Sequence, residues 1–314
     1  MKNEQLENIQ KTIGGVLFGK EKTVELVMIG LLCRGHVLLE DVPGTGKTML
    51  AKSMARSIDG KFSRIQFTPD VLPGDVTGVQ FFNPKEQEFQ LRPGPVMTNI
   101  LLADEINRAT PKTQSSLLEA MEERQVTIEG QTLRIEPPFI VMATQNPIES
   151  QGTFPLPEAQ MDRFLLQIRA GYPTREEEKQ MMTRYRKEEP LEQVKPVFSL
   201  KDILELQEKV KEINLSDEVK DYILDLVETT RQSEFIETGV SPRGTLAFMR
   251  SVQAKAFIEG RGYVIPEDVK EMAPYVLAHR LVLSMEGEMR KSKGQLLSEL
   301  LEEVEVPVEA GVPR

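Results

Sequence analysis

The chain has 314 residues, enough for two domains that each bury their own core. Hydrophobic residues make up 39% and charged residues 28%, which is ordinary for a globular protein. The net charge of −10 argues against nonspecific binding to nucleic acid, and no apolar run is long enough to span a bilayer. A single cysteine, Cys33, excludes an internal disulfide framework and fits a reducing compartment, so we expect a cytoplasmic protein.

The first half of the chain alternates strand-like with helix-like segments. A helix is predicted over residues 47–58, and another begins at Thr110 and Pro111, which suit the N-cap and the first helical position. Strands that alternate with helices predict an α/β fold with a parallel sheet covered on both faces. The predicted strands are HVLLED (36–41), KFSRIQF (61–67), NILLADE (99–105), FIVMATQN (139–146) and LLQIRAG (165–171).

The composition changes after Gly171. Thr174 and Glu177 are spaced as a capping box at the start of a charged helix, and KEEPLEQVKP (187–196) is typical of a linker. From Ser199 onward the pattern predicts one helix after another. We therefore predict an α/β core over residues 1–171, a linker helix and linker over 172–196, and a smaller all-α domain over 197–314.

The segment EDVPGTGKTM (40–49) departs at one position from the phosphate-binding pattern G-x-x-x-x-G-K-[ST], because Asp41 stands where the pattern has its first glycine. That position lies at the exit of a strand, far from the γ-phosphate, so we interpret the loop as a variant that still binds a nucleoside triphosphate. A chance turn is a poor alternative directly between an apolar strand and a helix. The predicted nucleotide-binding residues are Pro43, Gly44, Thr45, Gly46, Lys47, Thr48 and Met49, with Lys47 on the β- and γ-phosphates and Thr48 on Mg²⁺.

An apolar strand that ends in two acids, ILLADE, is the second signal. Asp104 is predicted to join the nucleotide site by holding the Mg²⁺ shell through water, and Glu105 to act as general base on the attacking water. The alternative is a buried strand with an exposed polar end. The strand KFSRIQF lies between the two motifs in sequence, an order that suits phosphate-loop proteins with their own catalytic glutamate.

Three further residues are candidates for catalysis. Asn146, in ATQNP at the end of the next strand, could bond both the γ-phosphate and the water, with Gln145 and Thr144 as alternatives. Arg163 precedes the last predicted strand, and Arg243 lies in the first turn of a helix of the second domain. A lone arginine is usually a surface charge, but phosphoryl transfer gains from a cation at the developing charge.

Together these segments resemble the MoxR family of AAA+ ATPases over nearly the whole chain. The resemblance rests on LLEDVPGTGKT, FTPDVLPGDVTG, LLADEINRA, FIVMATQNPIE and FPLPEAQMDRF, which occur in the family's order. It implies that Asn146 is sensor 1, that Arg163 is an arginine finger for the neighbouring subunit's nucleotide, and that Arg243 is sensor 2 on a helical lid. Whether Arg243 serves its own subunit or a neighbour stays open. The resemblance also places residues 17–20 near the adenine.

The resemblance further implies a homo-oligomeric ring, usually a hexamer, with a helix-2 insert near residues 70–95 and a β-hairpin near 126–135. The expected function is a Mg²⁺- and ATP-dependent, chaperone-like motor acting on proteins, including partners with a von Willebrand factor A domain. A nucleic-acid motor is the less favoured alternative because the chain is acidic, and a metal-chelatase motor subunit would differ only in its partners. A GTPase switch lacks support, since DVTG (75–78) has no N-K-x-D guanine signature to accompany it.

Overall fold

The protein is described by a computed structural model over residues 4–40, 44–146, 152–169, 171–186 and 189–307. Its helices are α1 (Glu4–Gly14), α2 (Glu21–Leu32), α3 (Lys47–Ser57), α4 (Pro73–Thr77), α5 (Pro111–Glu123), α6 (Glu158–Met161), α7 (Arg175–Tyr185), α8 (Leu200–Lys211), α9 (Asp217–Gln232), α10 (Pro242–Ile258), α11 (Pro266–Leu277), α12 (Met285–Arg290) and α13 (Lys293–Glu303). Its strands are β1 (Val37–Glu40), β2 (Phe62–Gln66), β3 (Gly78–Asn83), β4 (Glu88–Pro93), β5 (Ile100–Asp104), β6 (Gln125–Ile128), β7 (Gln131–Arg134), β8 (Ile140–Gln145), β9 (Leu166–Ile168), β10 (Ile236–Thr238) and β11 (Val282–Leu283).

Five strands form one sheet in the order β2-β5-β8-β1-β9, and every neighbouring pair is parallel. The strand β8 therefore lies between β1, which precedes the phosphate loop, and β5, which carries the acid pair. The register aligns Gln66 with Asp104 and Glu40 with Gln145 at the carboxyl ends of these strands. This sheet and the helices around it confirm the predicted α/β core.

The central strands of the sheet are continuous apolar runs because their side chains are buried in a hydrophobic core. Leu38, Leu101 and Val141 come from three neighbouring strands, have no exposed surface, and pack in one cluster with Leu117 and Leu118 of α5. Burying a side chain of this size contributes about 1.5–3 kcal/mol. Such a core fixes the backbone immediately before the polar strand ends, where the candidate site begins.

Two β-hairpins decorate this core. The strands β3 and β4 pair antiparallel within the segment predicted as the helix-2 insert, after the short helix α4. The strands β6 and β7 form the second hairpin, one residue earlier than the predicted 126–135. Its turn residues Glu129 and Gly130 both have positive φ, 46° and 82°, which is the backbone of a two-residue type I′ turn.

The chain divides into two compact units, Gln5–Leu206 and, within the described part, residues 207–307. The division falls inside α8, so the first unit also contains the described part of the segment predicted as a linker. Within that segment the Leu191 carbonyl accepts from Arg56 Nη1 of α3, and just after it the N–H groups of Val197 and Phe198 donate to the Ser57 carbonyl at 2.8 and 3.1 Å. The boundary predicted at 172–196 stays a prediction from composition.

The second unit is almost entirely helical, in agreement with the predicted all-α part of the chain. Ser216 and Ser241 cap α9 and α10 by accepting hydrogen bonds from Val219 and Gly244. A small antiparallel ladder, β10 with β11, accompanies these helices. Over the described residues, none of the helices combines the length and the apolar composition that a membrane crossing needs.

Candidate functional site

The phosphate loop leads from β1 into α3. Gly44 and Gly46 have φ of 86° and 89°, values that glycine adopts without strain and other residues rarely do. Gly46 is the N-cap of α3 and, as a glycine, has no side chain with which to cap the helix. Lys47 and Thr48 therefore open a helix whose N-terminal N–H groups and dipole suit a phosphate. Two predicted positions of the loop, Asp41 and Pro43, lie outside the described residues.

A small, mostly apolar cleft adjoins the loop. A Cβ atom added at Gly46 would lie 2.8 Å from Leu17 Cδ2, so this position needs glycine because the backbone passes so close to Leu17. The buried Lys20 donates from Nζ to the Gly171 carbonyl at 2.5 Å, which anchors the segment 17–20 predicted to lie near the adenine. The cleft is lined by Leu17, Lys20, Thr23, Leu39, Thr45, Gly46, Lys47 and Leu50.

The acid pair is held by a buried threonine from the neighbouring strand. Thr144 of β8 is 1% exposed, and its hydroxyl donates to Asp104 Oδ1 at 2.6 Å. The same oxygen, Thr144 Oγ1, accepts the N–H of Glu105 at 2.9 Å. One side chain therefore fixes both the Asp104 carboxylate and the backbone that presents Glu105.

The backbone at Glu105 is unusual. Its φ and ψ are 56° and 50°, in the left-handed region that is strained for a residue with a Cβ. The strand therefore ends at Asp104, one residue earlier than predicted. The Glu105 carboxylate oxygen Oε2 accepts from Gln66 Nε2 at 2.9 Å and from Arg108 Nη1 at 3.2 Å. Two neighbouring acids are thus directed to different partners.

An arginine contacts the other oxygen of Asp104. Arg64 lies on the edge strand β2, two residues before Gln66, so both side chains are on the same face of the strand. Arg64 Nη2 lies 2.6 Å from Asp104 Oδ2 and 2.7 Å from Gln66 Oε1. Sequence analysis missed Arg64, Gln66 and Arg108. The spacing of Arg64 and Gln66 places both on one face of a predicted strand, but only the pairing of that strand with β5 brings them to the acids.

The predicted sensor position lies at the end of β8. Gln145 donates to Glu40 Oε1 at 2.6 Å, and Glu40 Oε2 also accepts from Arg169 at 3.0 Å. The two alternatives for the sensor role are therefore already bonded to carboxylates: Thr144 to Asp104, and Gln145 to Glu40. Asn146 follows directly, with 8% of its surface exposed, and its contact with a γ-phosphate stays a prediction.

The two candidate arginines lie in different units. Arg163 follows α6 in the first unit, and its Nε is 3.2 Å from Glu122 Oε2 of α5. This ion pair joins it to an acid outside the predicted site. Arg243 is an exposed residue at the second position of α10, in the second unit. The roles of both arginines stay predictions.

The donors at the site fit magnesium chemically. Thr48 and Asp104 supply a hydroxyl and a carboxylate, hard oxygen ligands of the kind that Mg²⁺ takes in phosphate-loop proteins together with water and phosphate. The hydroxyl of Thr144, on the neighbouring strand β8, holds the Asp104 carboxylate in a fixed orientation. These donors suit a divalent cation bound beside a nucleotide.

Known proteins and family models match this chain over most of its length. Residues 36–166 match the ATPase family associated with various cellular activities (AAA), and residues 228–300 match the AAA lid domain. The chain is 49% identical to the uncharacterised protein YeaC of Bacillus subtilis, over 96% of this chain and 95% of that protein. It is 43% identical to Chaperone MoxR1 of Mycobacterium tuberculosis, over 95% of this chain and 81% of that protein.

A solved structure agrees with these matches. The crystal structure of an ATPase candidate from Cytophaga hutchinsonii superposes with a TM-score of 0.91 at 38% identity, over 97% of this chain and 96% of that one. The fold described above is thus shared with that structure over nearly the whole chain. On the fold, the motifs and these relatives, the chain belongs to the MoxR family of AAA+ ATPases.

Proposed function

We propose that this protein is a Mg²⁺-dependent ATP hydrolase that assembles into a ring, with six subunits as the expected number, and remodels or matures protein complexes. Its clients would include proteins that carry a von Willebrand factor A domain, and it would act in the cytoplasm. The chaperone role is supported by the name of the relative MoxR1, and the reaction by the AAA family match. The compartment rests on the single cysteine alone.

Each candidate residue has a role in this proposal. Lys47 holds the β- and γ-phosphates, while Thr48 and Asp104 hold magnesium, which neutralises charge on the phosphate oxygens. Glu105 takes a proton from the attacking water as the water approaches the γ-phosphate. The remaining roles are these: Asn146 orients the water, Arg163 acts on the neighbouring subunit's nucleotide, and Arg243 contacts the phosphates from the lid.

The observation that carries the proposal is the contact of Thr144 with both acids. The strand β8 lies between β1 and β5, so the Thr144 hydroxyl can fix both Asp104 and the Glu105 backbone. These groups lie at the carboxyl ends of the strands, where β1 also leads into the phosphate loop. A buried strand that merely ends in polar residues does not need this arrangement. Preorganised groups of this kind lower a barrier because they need no reorganisation during the reaction.

The test compares Mg²⁺-dependent ATP binding and hydrolysis in the wild type and in Lys47→Ala. Removing the phosphate-facing ammonium should weaken ATP binding at least tenfold, on the order of the ~1.5–3 kcal/mol of a charged hydrogen bond. The exposed Lys52→Ala on the same helix is the matched control and should bind as the wild type does. Unchanged ATP affinity in Lys47→Ala, or a wild type without ATP hydrolysis, would contradict the proposal.

A further inference from the structure

The Asp104 carboxylate is bonded from both neighbouring strands at once. Its Oδ1 accepts from Thr144 of β8 at 2.6 Å, and its Oδ2 accepts from Arg64 of β2, also at 2.6 Å. The Thr144 contact is neutral and buried, whereas the Arg64 contact brings a full positive charge. The acid assigned to magnesium therefore already has a cationic partner within its own chain.

Arg64 is more exposed to solvent than Asp104, so it can leave their ion pair more easily. The Arg64 side chain is 44% exposed, whereas that of Asp104 is 14% exposed. Arg64 also lies on β2, which is an edge strand of the sheet in the described part of the chain. A long, half-exposed side chain can move into solvent at low cost, while Asp104 stays held by Thr144.

The charges around the acid pair are balanced within the first unit. Arg64 faces Asp104, and Arg108 faces Glu105 at 3.2 Å. A divalent cation that arrives at Asp104 would meet the Arg64 guanidinium within a few ångströms. Two cations that share one carboxylate repel each other, and this repulsion is weakened but not abolished by water.

We propose that Arg64 is an internal counterion that competes with magnesium for Asp104 and so limits how strongly magnesium tightens nucleotide binding. The inference rests on the proposed function, because it assigns magnesium to Asp104. In this role the Arg64 guanidinium bonds Asp104 Oδ2 without metal, and an Arg64 displaced from that oxygen would keep Gln66 Oε1, 2.7 Å away, as a hydrogen-bond partner.

The experiment measures how much magnesium tightens binding of a fluorescent, nonhydrolysable ATP analogue. The dissociation constant is determined in EDTA and in saturating Mg²⁺, and their ratio is the magnesium coupling. Arg64→Gln removes the charge but keeps an amide donor. We expect this variant to raise the coupling about tenfold, the effect of removing a unit charge roughly 6 Å from a divalent ion in a water-like dielectric. Binding in EDTA should change much less.

Two further variants make the result specific to charge at this position. Arg64→Lys keeps the positive charge and should leave the coupling near the wild-type value. Arg134→Gln removes the same charge from the exposed strand β7 and should also leave it unchanged. If Arg64→Gln is poorly folded by its thermal transition, Arg64→Met serves as the neutral replacement.

The outcomes separate this inference from the proposed function. A wild type that binds no nucleotide contradicts the proposed function, and the counterion role fails with it. A wild type whose binding is tightened by magnesium, together with an Arg64→Gln variant of equal or lower coupling, contradicts the counterion role alone. The counterion role is also contradicted if Arg64→Lys raises the magnesium coupling as Arg64→Gln does, or if Arg134→Gln raises it by the same factor.

Discussion

At the scale of single residues, the strained backbone at Glu105 is the feature most closely tied to chemistry. A non-glycine residue in the left-handed region persists only where surrounding contacts hold it, and here Thr144 accepts the Glu105 N–H while Gln66 and Arg108 bond its carboxylate. These contacts give the carboxylate a defined starting position. Both bonds go to Oε2, so a water can contact the other carboxylate oxygen, Oε1, without breaking them.

Replacing Glu105 with glutamine tests its assignment as the base. The amide keeps the size of the side chain but cannot accept a proton, so ATP should bind with wild-type affinity while hydrolysis falls by roughly 10²–10⁴-fold. Binding is measured by titration with ATP, and turnover by phosphate release. The exposed Glu123→Gln at the end of α5 is the matched control. Turnover at the wild-type rate in Glu105→Gln would remove Glu105 from the mechanism.

The site residues that could be predicted from the sequence are those marked by their immediate neighbours in the chain. Lys47 and Thr48 follow glycines directly, and Asp104 follows an apolar run, so neighbouring residues in the chain reveal them. Arg64 and Gln66 are found only through the register of β2 with β5, a pairing between residues about forty positions apart. A sequence pattern carries no such long-range information, which is why their contacts with the acids emerged only from the structure.

At the scale of elements, His36 joins the start of β1 to two other elements. Its Nδ1 accepts the N–H of Val141 in β8 at 2.9 Å, and its Nε2 lies 3.0 Å from the Met121 carbonyl in α5. The ring is therefore neutral, with the proton on Nε2. Burial, aided by the nearby Arg124 charge, lowers its pKa from 6.5 to about 3. The sequence showed only an isolated histidine, and its role in joining three elements depends on tertiary contacts.

The lowered pKa of His36 predicts that acid weakens the first unit. The unfolded chain binds a proton at His36 below pH 6.5, whereas the folded chain does so only near pH 3, so the free energy of unfolding falls as pH decreases across that window. The slope is up to about 1.4 kcal/mol per pH unit. Urea unfolding between pH 7.5 and 5.5 measures it.

The variant His36→Gln should lose the part of this slope that His36 contributes, because glutamine does not titrate. The second histidine of the chain provides the control, and His279→Gln should retain the part that His36 contributes. A wild type with equal stability at pH 7.5 and 5.5 would contradict a buried neutral His36.

The elements themselves were predictable where one face or both faces are buried. The central strands β1, β5 and β8 read as apolar runs because helices cover both sides of the sheet, and α5 was located by Thr110 and Pro111 at its start. The edge strand β2 alternates in burial and carries polar side chains toward the site. The extent of the first unit was harder to predict, because residues 187–196 look like a linker in composition, yet Leu191 within them accepts a hydrogen bond from Arg56 of α3.

At the scale of the whole molecule, the ring is the part of the proposed function that a single chain does not display. Within the chain, Arg163 forms an ion pair with Glu122 at 3.2 Å, with both side chains about one third exposed. An arginine finger must reach a nucleotide bound elsewhere, so this pair would have to exchange for a γ-phosphate of a neighbouring subunit. An exposed pair of this kind is worth only about 0–1 kcal/mol, which makes the exchange energetically easy.

Mixing two inactive variants tests whether Arg163 acts between subunits. Arg163→Ala should bind ATP normally but hydrolyse it slowly, since its site lacks the cation that stabilises the developing charge. Lys47→Ala has a defective site but an intact Arg163. In a mixed ring, a Lys47→Ala subunit can supply Arg163 to the intact site of an Arg163→Ala neighbour, so the mixture should be more active than either variant alone. Phosphate release measures the gain, and pull-down of one tagged variant with the other shows that mixed assemblies form.

Mixed assemblies without any gain in activity would contradict a finger acting in trans. Specific activity that stays constant on dilution to a size-verified monomer would contradict the ring itself, because such a site is complete within one chain.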